Sequence, residues 1–412
     1  MKLKGFQKLT LTDKALQIWL KALHIGEPKK ALVPLQDAVG RVLVEDLTAV
    51  SDLPRFDRSA MDGYAINSSD SSGASQFKPA IFQLTESEEI GIKQAKQVWT
   101  GNPIPKGANA VVMLENTKKT GEKLEVWNQL TPSENVSRIG EDIKKGSIIS
   151  KAGNRLNPYH VGLAAALGMD QIRVAEKPKI AILATGNELA EVGSKLSGNL
   201  IYDSNKIMLS ALCRELGAES TDYGIAKDKI EEIGCKIQSA LENHDAVITT
   251  GGTSVGGLDL VPEVVNKLGK PGVVVHGVAA RPAMPTALAV LQSKPILILS
   301  GNPVAAIIGF EIFGRPLICK LLGMDKTEQR PMLKATLTRR VASALGRRTY
   351  VRVRVYSKGD EFIAEPVSAK GSGSISTMAM SNGFVVVPEN REGLGEREAV
   401  IVQLFSSLEA AI

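Results

Sequence analysis

Apolar and polar positions along the chain repeat with different periods in different regions. In TDKALQIWLKALH (12–24), Leu16, Trp19, Leu20 and Leu23 share one helical face, with Thr12 or Asp13 as N-cap. A short helix is expected at 35–39, stopped by Gly40. The polar loop VSDLPRFDRSAMDG then leads into a strand at 64–66. From 67 to 144 short β-rich runs such as NAVVML and KLEVW alternate with turn chemistry, which predicts an all-β region. Helix returns after Asn157, with Pro158 at its first position and Gly168 at its end.

At Lys179 the period changes again. KIAILAT, STDYGIA, DAVITT, GVVVHGV and PILILS read as strands. SNKIMLSALCREL, DKIEEIGCKIQSALENH, LVPEVVNKLG and NPVAAIIGFEIFGRPLICKLLG read as helices between and after them. Strands alternating with helices predict an α/β domain with a doubly wound parallel sheet. Beyond Met332 the pattern is β, with strict alternation in YVRVRVYS. The boundaries expected are 1–50 and 145–178 for a split helical region, 51–144 for the inserted β domain, 179–324 for the α/β domain and 325–412 for a C-terminal β domain.

A chain of 412 residues exceeds one ordinary core, in agreement with several domains. Three cysteines without CxxC spacing argue against a disulfide framework or a thiolate zinc site and for a reducing compartment. No signal-like or membrane-length apolar run is present, so a cytoplasmic protein is expected, with no membrane partner. Aromatics make up 4%, too few for a stacking platform on single strands, and no nucleic-acid partner is expected. The net charge of +6 is concentrated between Lys326 and Lys358, where ten Lys/Arg face one acid. The plain reading of that stretch is a solvated basic strand face.

In a doubly wound sheet ligands bind beyond the carboxyl ends of the strands. Glu188, Asp228 and Asp259 each follow a strand, TTGGTSVGG precedes Asp259, and Ser300-Gly301-Asn302-Pro303 opens a helix. Singly, each acid reads as a cap or a solvated loop residue. Together, glycine-rich backbone and a helix start suit phosphate, and carboxylates beside phosphate call for a divalent cation, with oxygen ligands pointing to Mg²⁺. No GK[ST] or GxGxxG pattern is present. The acidic segment PRFDRSAMDGYA, with Asp62, and the turn at Thr100-Gly101-Asn102-Pro103 are the other unusual stretches.

FDRSAMDGYA, WTGNPIP, RIGEDI, LATGNEL, IYDSN, TTGGTSVGGLD and SGNPVAA occur in the order and spacing of the molybdopterin molybdenumtransferase family, which includes bacterial MoeA and the gephyrin E domain. The chain resembles that family over essentially its whole length. The resemblance implies a four-domain homodimer with a doubly wound molybdopterin-binding domain, an inserted β domain and a C-terminal β-barrel. It implies insertion of molybdenum from the oxyanion into adenylylated molybdopterin, with Mg²⁺-dependent release of AMP, downstream of a molybdopterin adenylyltransferase. Carried over by motif, Asp62, Thr100, Glu188, Asp228 and Asp259 are the catalytic candidates, with Glu188, Asp228 and Asp259 as metal ligands and Asp62 and Thr100 reaching the cleft from the partner subunit. Thr250, Gly251, Gly252, Thr253, Ser254 and Gly256 would hold the pterin phosphate, with Arg281, Ser300, Gly301, Asn302 and Pro303 as further substrate contacts. One departure stands out. The family's K/R-P-G-K-P loop reads Arg281-Pro282-Ala283-Met284-Pro285, so an anion-binding Lys is replaced by Met284. That leaves tungstate beside molybdate as a substrate, and a catalytically weak molybdopterin-binding or scaffold protein as the alternative function.

Overall fold

The computed structural model describes residues 9–252, 259–367 and 371–408. The chain forms two compact units, one of residues 32–174 and one of the residues before and after it.

Helix α1 (Thr12–Ala22) belongs to the second of these units. It buries Thr12, Ala15, Trp19 and Leu23, a face rotated from the one expected, and Leu16 and Leu20 are only partly covered. Its N-cap is Leu11, with no side-chain cap. Asp13 is drawn away from capping by Arg348, which it binds through both carboxylate oxygens at 2.8 and 2.7 Å.

Near the start of unit 32–174, after the strand Lys30–Pro34, lies a 3₁₀ turn, Leu35–Asp37, where a short helix was expected. Its main sheet comprises β1 (Gly63–Ile66), β2 (Ala80–Leu84), β3 (Gln94–Val98), β4 (Ala110–Met113), β5 (Thr117–Thr120) and β6 (Lys123–Val126), in spatial order β4-β1-β3-β2-β6-β5. Tyr64, Ile66, Phe82, Val112, Leu124 and Val126 form its core. Helix α2 (Pro158–Ala166) starts as the sequence predicts: Asn157 accepts the His160 amide at 2.9 Å, and the His160 ring accepts the Asn157 amide in return.

The other unit holds the α/β domain. Its elements in chain order are β7 (Lys179–Thr185), α3 (Asn205–Glu215), β8 (Glu219–Ala226), α4 (Ile230–Asn243), β9 (Ala246–Thr250), α5 (Leu260–Leu268), β10 (Gly272–His276), β11 (Ala280–Arg281), β12 (Ala287–Leu291), β13 (Lys294–Leu299), α6 (Pro303–Gly309) and α7 (Arg315–Leu321). The sheet order is β8-β7-β9-β13-β12-β10. Helices α4 and α5 cover one face through Ile233, Ile237, Leu241, Val261, Val264 and Val265. Trp19 of α1 is fully buried and donates its indole N–H to the Ala289 carbonyl at 2.9 Å.

The α/β class is as expected, but the sheet is not wholly parallel, because β12 runs antiparallel to both neighbours. The hairpin joining β12 to β13 turns on Gln292 and Ser293, at φ 51° and 61°. Two positive-φ residues suit a tight hairpin, but neither is the Gly or Asn that announces one in a sequence. The last helix also differs. Between α6 and α7 lies a π-helical segment, Phe310–Gly314. Pro316 supplies no amide to the carbonyl of Ile312, which loosens the winding there.

The C-terminal strands are β14 (Met332–Leu337), β15 (Arg348–Lys358), β16 (Glu361–Pro366), β17 (Gly383–Val387) and β18 (Ala399–Leu404). They close in the order β15-β16-β14-β18-β17 and back to β15, giving a five-stranded barrel filled by Leu337, Val353, Val355, Val385 and Val402. β11 adds to this barrel in parallel, pairing Ala280 with Arg348 and Arg281 with Thr349.

Candidate functional site

Two groups of residues lie at the carboxyl edge of the sheet. In the first, Thr250 ends β9, and Gly251 and Gly252 follow at φ 93° and 65°. A Cβ on Gly251 would stand 2.2 Å from the Thr185 carbonyl oxygen, and one on Gly252 would stand 2.6 Å from Val261. Both glycines are therefore required by the close approach of β7 and α5 before any ligand is considered. Thr253, Ser254 and Gly256 lie outside the described residues.

Asp259 occupies the N-cap position of α5, yet its side chain makes no capping bond. Its Oδ2 lies 3.7 Å from His276 Nε2, and its Oδ1 is buried with no hydrogen-bond donor among the described residues. Burial pushes its pKa up, and His276 partly offsets the rise. Asp228 is not a cap either, since Lys229 holds that position. Its carboxylate accepts the Asn187 amide at 3.2 Å, and the Asn187 side chain accepts the Asp228 amide at 3.2 Å. The Glu188 carboxylate folds over Gly186, where both oxygens stand 2.8 Å from the place of a Cβ. Asn187 thus ties the Glu188 loop to Asp228, a link that the LATGNEL motif contained but spacing did not reveal. Among the described residues, no three acidic, His or Cys side chains are close enough together to hold a metal by themselves.

The second group is a cavity of about 520 Å³ between the α/β domain and the barrel. Arg281, Ala283 and Met284 line one wall, Ser300 and Asn302 a second, and Arg347, Tyr350 and Arg352 of the barrel a third. Among the described residues, no acidic residue is in the lining. Arg352 is half-buried, its Nε has no acceptor among the described residues, and burial lowers its pKa. Among the described residues, neither Arg281 nor Arg347 nor Arg352 makes an ion pair.

The basic stretch 326–358 is therefore not a uniform solvated face. Arg330 is bound to Glu311 at 2.7 Å and to Glu215 at 3.3 Å, and Arg348 to Asp13 and Glu389. Arg347 and Arg352 line the cavity instead, and treating the stretch as one block hid them. The expected free helix start at Ser300-Gly301-Asn302-Pro303 is also partly occupied, because the Ser372 carbonyl accepts the Val304 amide at 3.1 Å.

In unit 32–174, Asp62 and Thr100 meet as a pair. Asp62 Oδ1 accepts both the amide and the hydroxyl of Thr100 at 2.7 Å, and these two bonds hold its carboxyl below the usual range. The exposed apolar side chains Phe56, Met61 and Trp99 belong to the same interlaced loops.

Three family models tile the chain. "MoeA N-terminal region (domain I and II)" matches 10–168, "Probable molybdopterin binding domain" matches 181–320, and "MoeA C-terminal region (domain IV)" matches 334–405. A protein of Methanocaldococcus jannaschii named for molybdopterin biosynthesis is 39% identical over 392 residues, 93% of this chain and 94% of that one. The molybdopterin molybdenumtransferase of Bacillus subtilis is 34% identical over 90% of this chain and 89% of its own. The crystal structure of the molybdopterin biosynthesis MoeA protein from Pyrococcus horikoshii matches with a TM-score of 0.82 and 32% identity, over 97% of this chain and 100% of that one. The motifs, the architecture and these full-length likenesses agree, and the chain belongs to the molybdopterin molybdenumtransferase family.

Proposed function

We propose that this chain, by family a transferase of molybdenum cofactor biosynthesis, inserts molybdenum or tungsten from the oxyanion into adenylylated molybdopterin and releases AMP. The observation that carries the reading is the cavity with Arg281, Arg347 and Arg352 and no acid, next to a carboxylate-bearing glycine edge. Molybdate and tungstate are small dianions, and guanidinium forks match their oxygens. The barrel arginines supply the charge that Met284 does not, which favours the active enzyme over the weak or scaffold alternative.

The glycine edge suits the pterin phosphate, with backbone around Gly251 and Gly252 allowing close approach. The orphaned, buried Oδ1 of Asp259 fits a hard cation, and Asp228 and Glu188 are further carboxylates that follow strands at the same edge of the sheet. Mg²⁺ is commonly held by one or two carboxylates with phosphate and water completing its shell, so a three-residue protein cluster is not required. Bound there, it would neutralise charge on the phosphoanhydride. The chain's own contribution is to fix the phosphate against the sheet edge and to keep the oxyanion beside the dithiolene, whose sulfurs are the soft ligands for the metal being inserted. An adenylyltransferase must supply the substrate.

Asp62 and Thr100 fit a contribution from a second copy of the chain. Phe56, Met61 and Trp99 are about half exposed beside them, a surface suited to a homodimer. Light scattering on Trp99→Asp tests this: a monomer with lost turnover is expected, and an unchanged dimer removes the assignment. The reaction itself is tested by Mg²⁺-dependent AMP release from adenylylated molybdopterin with molybdate or tungstate. Absence of release with both oxyanions refutes the transferase reading.

A further inference from the structure

The IYDSN motif has no task in the reaction as described. Its Asn205 opens α3 and is 7% exposed. The Asn205 Nδ2 donates to Thr250 Oγ1 at 2.9 Å and to the Gly301 carbonyl at 2.8 Å. Thr250 in turn donates its hydroxyl to the Ser300 carbonyl at 3.2 Å. Thr250 is the last residue of β9 before the glycine loop, and Ser300 and Asn302 form a wall of the arginine cavity. The last backbone link between the two strands is Gly251 N–H to the Leu299 carbonyl, at 3.1 Å. At the point where the loops part, one carboxamide holds both.

The support under Asn205 is rigid. Asp203 Oδ1 accepts the amides of Asn205 at 3.0 Å and Lys206 at 3.3 Å. The Lys206 side chain, 4% exposed, is bound by Glu191 at 3.0 Å and Asp222 at 2.8 Å. Asn205 Oδ1 is buried and has no donor among the described residues. A helix start needs no such residue for its own stability, and a buried amide with half its capacity unused is costly unless its other half is needed.

We propose that Asn205 is a positioning residue that sets the spacing between the glycine loop and the arginine cavity, and so between the phosphate-bearing pterin and the oxyanion. This rests on the reaction proposed above. Asn205 itself touches neither substrate. Each half-site keeps its own groups without it, so the predicted loss is in their mutual placement.

The test compares wild type with Asn205→Ala and Asn205→Asp, the second keeping shape and an acceptor but losing the donor. Turnover should fall about a hundredfold in both, the scale of a small misplacement of reacting groups. The dissociation constants of adenylylated molybdopterin alone and of molybdate alone should each change by less than about threefold, as expected when binding groups are intact. Hydrogen exchange should speed up about tenfold in segments 249–252 and 300–304 and stay unchanged elsewhere. Wild-type turnover and exchange in Asn205→Asp overturn the proposal. So does a joint collapse of melting temperature and both affinities, which marks a purely structural role. If wild type releases no AMP, the proposed reaction fails, and the exchange rates still decide whether Asn205 ties the loops.

Discussion

The two halves of the sheet edge solve the problem of binding an anion in opposite ways. The glycine edge carries Glu188, Asp228 and Asp259 beside backbone that glycines leave accessible. The barrel-side cavity carries Arg281, Arg347 and Arg352 and no acid. A phosphate can be held at the first only with an intervening cation, whereas an oxyanion can enter the second directly. In the reaction proposed above, this separation would give each substrate its own electrostatic environment and would keep a cation at the anhydride apart from the metal oxyanion. β11 joins the halves mechanically, since Arg281 belongs at once to the anion loop and to the edge of the barrel strand that carries Arg352.

The sharpest way to break the comparison is at Asp259. Asp259→Ala should lower turnover by about a thousandfold or more, the scale of losing a main source of transition-state charge stabilisation. Oxyanion binding in the arginine cavity should be unaffected. The acid also predicts a pH dependence. Burial raises its folded pKa, so the proton stays on to higher pH than in the unfolded chain. The folded state is therefore penalised as pH rises through that pKa, unless a cation takes the proton's place. Mg²⁺ affinity, measured calorimetrically, should rise with pH across this range and level off above it. Asp259→Asn should flatten the profile, and a variant that kept the slope would detach the metal from this residue.

On the other side, Arg352→Gln should weaken molybdate binding by ten- to a hundredfold, about 1.5–3 kcal/mol for a hydrogen bond to a charged group. Arg348→Gln is the control. Arg348 lies four residues before Arg352 on the same strand and at the same phase of the alternation, yet its charge is spent on Asp13 and Glu389. Its loss should change molybdate affinity by less than about threefold, because the ion pairs it breaks are partly solvated. Equal losses in the two variants would mean that the stretch acts as one undifferentiated basic face.

That contrast also shows what could be read in advance. The alternation in YVRVRVYS reveals a strand with Val353 and Val355 inward, because period 2 is a local property. It says nothing about which outward arginine meets an acid, since Asp13 is over 300 positions away along the chain. The same limit explains Asn205. A polar residue at the start of an amphipathic helix reads as ordinary, and only the arrival of β9 and β13 beside it makes it a tie. The glycines were legible as backbone left open to a phosphate. That the first partner of Gly251 is Thr185, and not a ligand, follows from strand order alone. The missed strand β12 has a similar cause, a positive-φ turn made without glycine.

A milder test adds back the charge that the family's loop carries at position 284. Met284 lines the pocket, and its carbonyl accepts the Val278 amide at 2.9 Å, so the backbone is held whatever the side chain. Met284→Lys should tighten molybdate binding about fivefold, roughly 1 kcal/mol for one added charge in a partly solvated site. Adenylylated molybdopterin binding at the glycine edge should not respond. No gain in oxyanion affinity would show that the three arginines already saturate the site.

The smallest effect is expected one residue earlier. Ala283 is 1% exposed and sits at φ 96°, a conformation that disfavours a side chain. Its carbonyl accepts both the amide and the hydroxyl of Thr286, at 3.1 and 2.8 Å, and those bonds hold the strained turn in place. Replacing it by glycine relieves about 1–2 kcal/mol of left-handed strain. It forfeits about 0.8 kcal/mol of methyl burial and about 0.4–1 kcal/mol through the looser unfolded chain. The terms cancel to within a few tenths. Ala283→Gly should therefore leave the urea midpoint almost unchanged, with molybdate affinity constant. A loss of more than about 1 kcal/mol would mean that the methyl group wedges the loop against α6, and that alanine, not the strain, sets the position of Arg281.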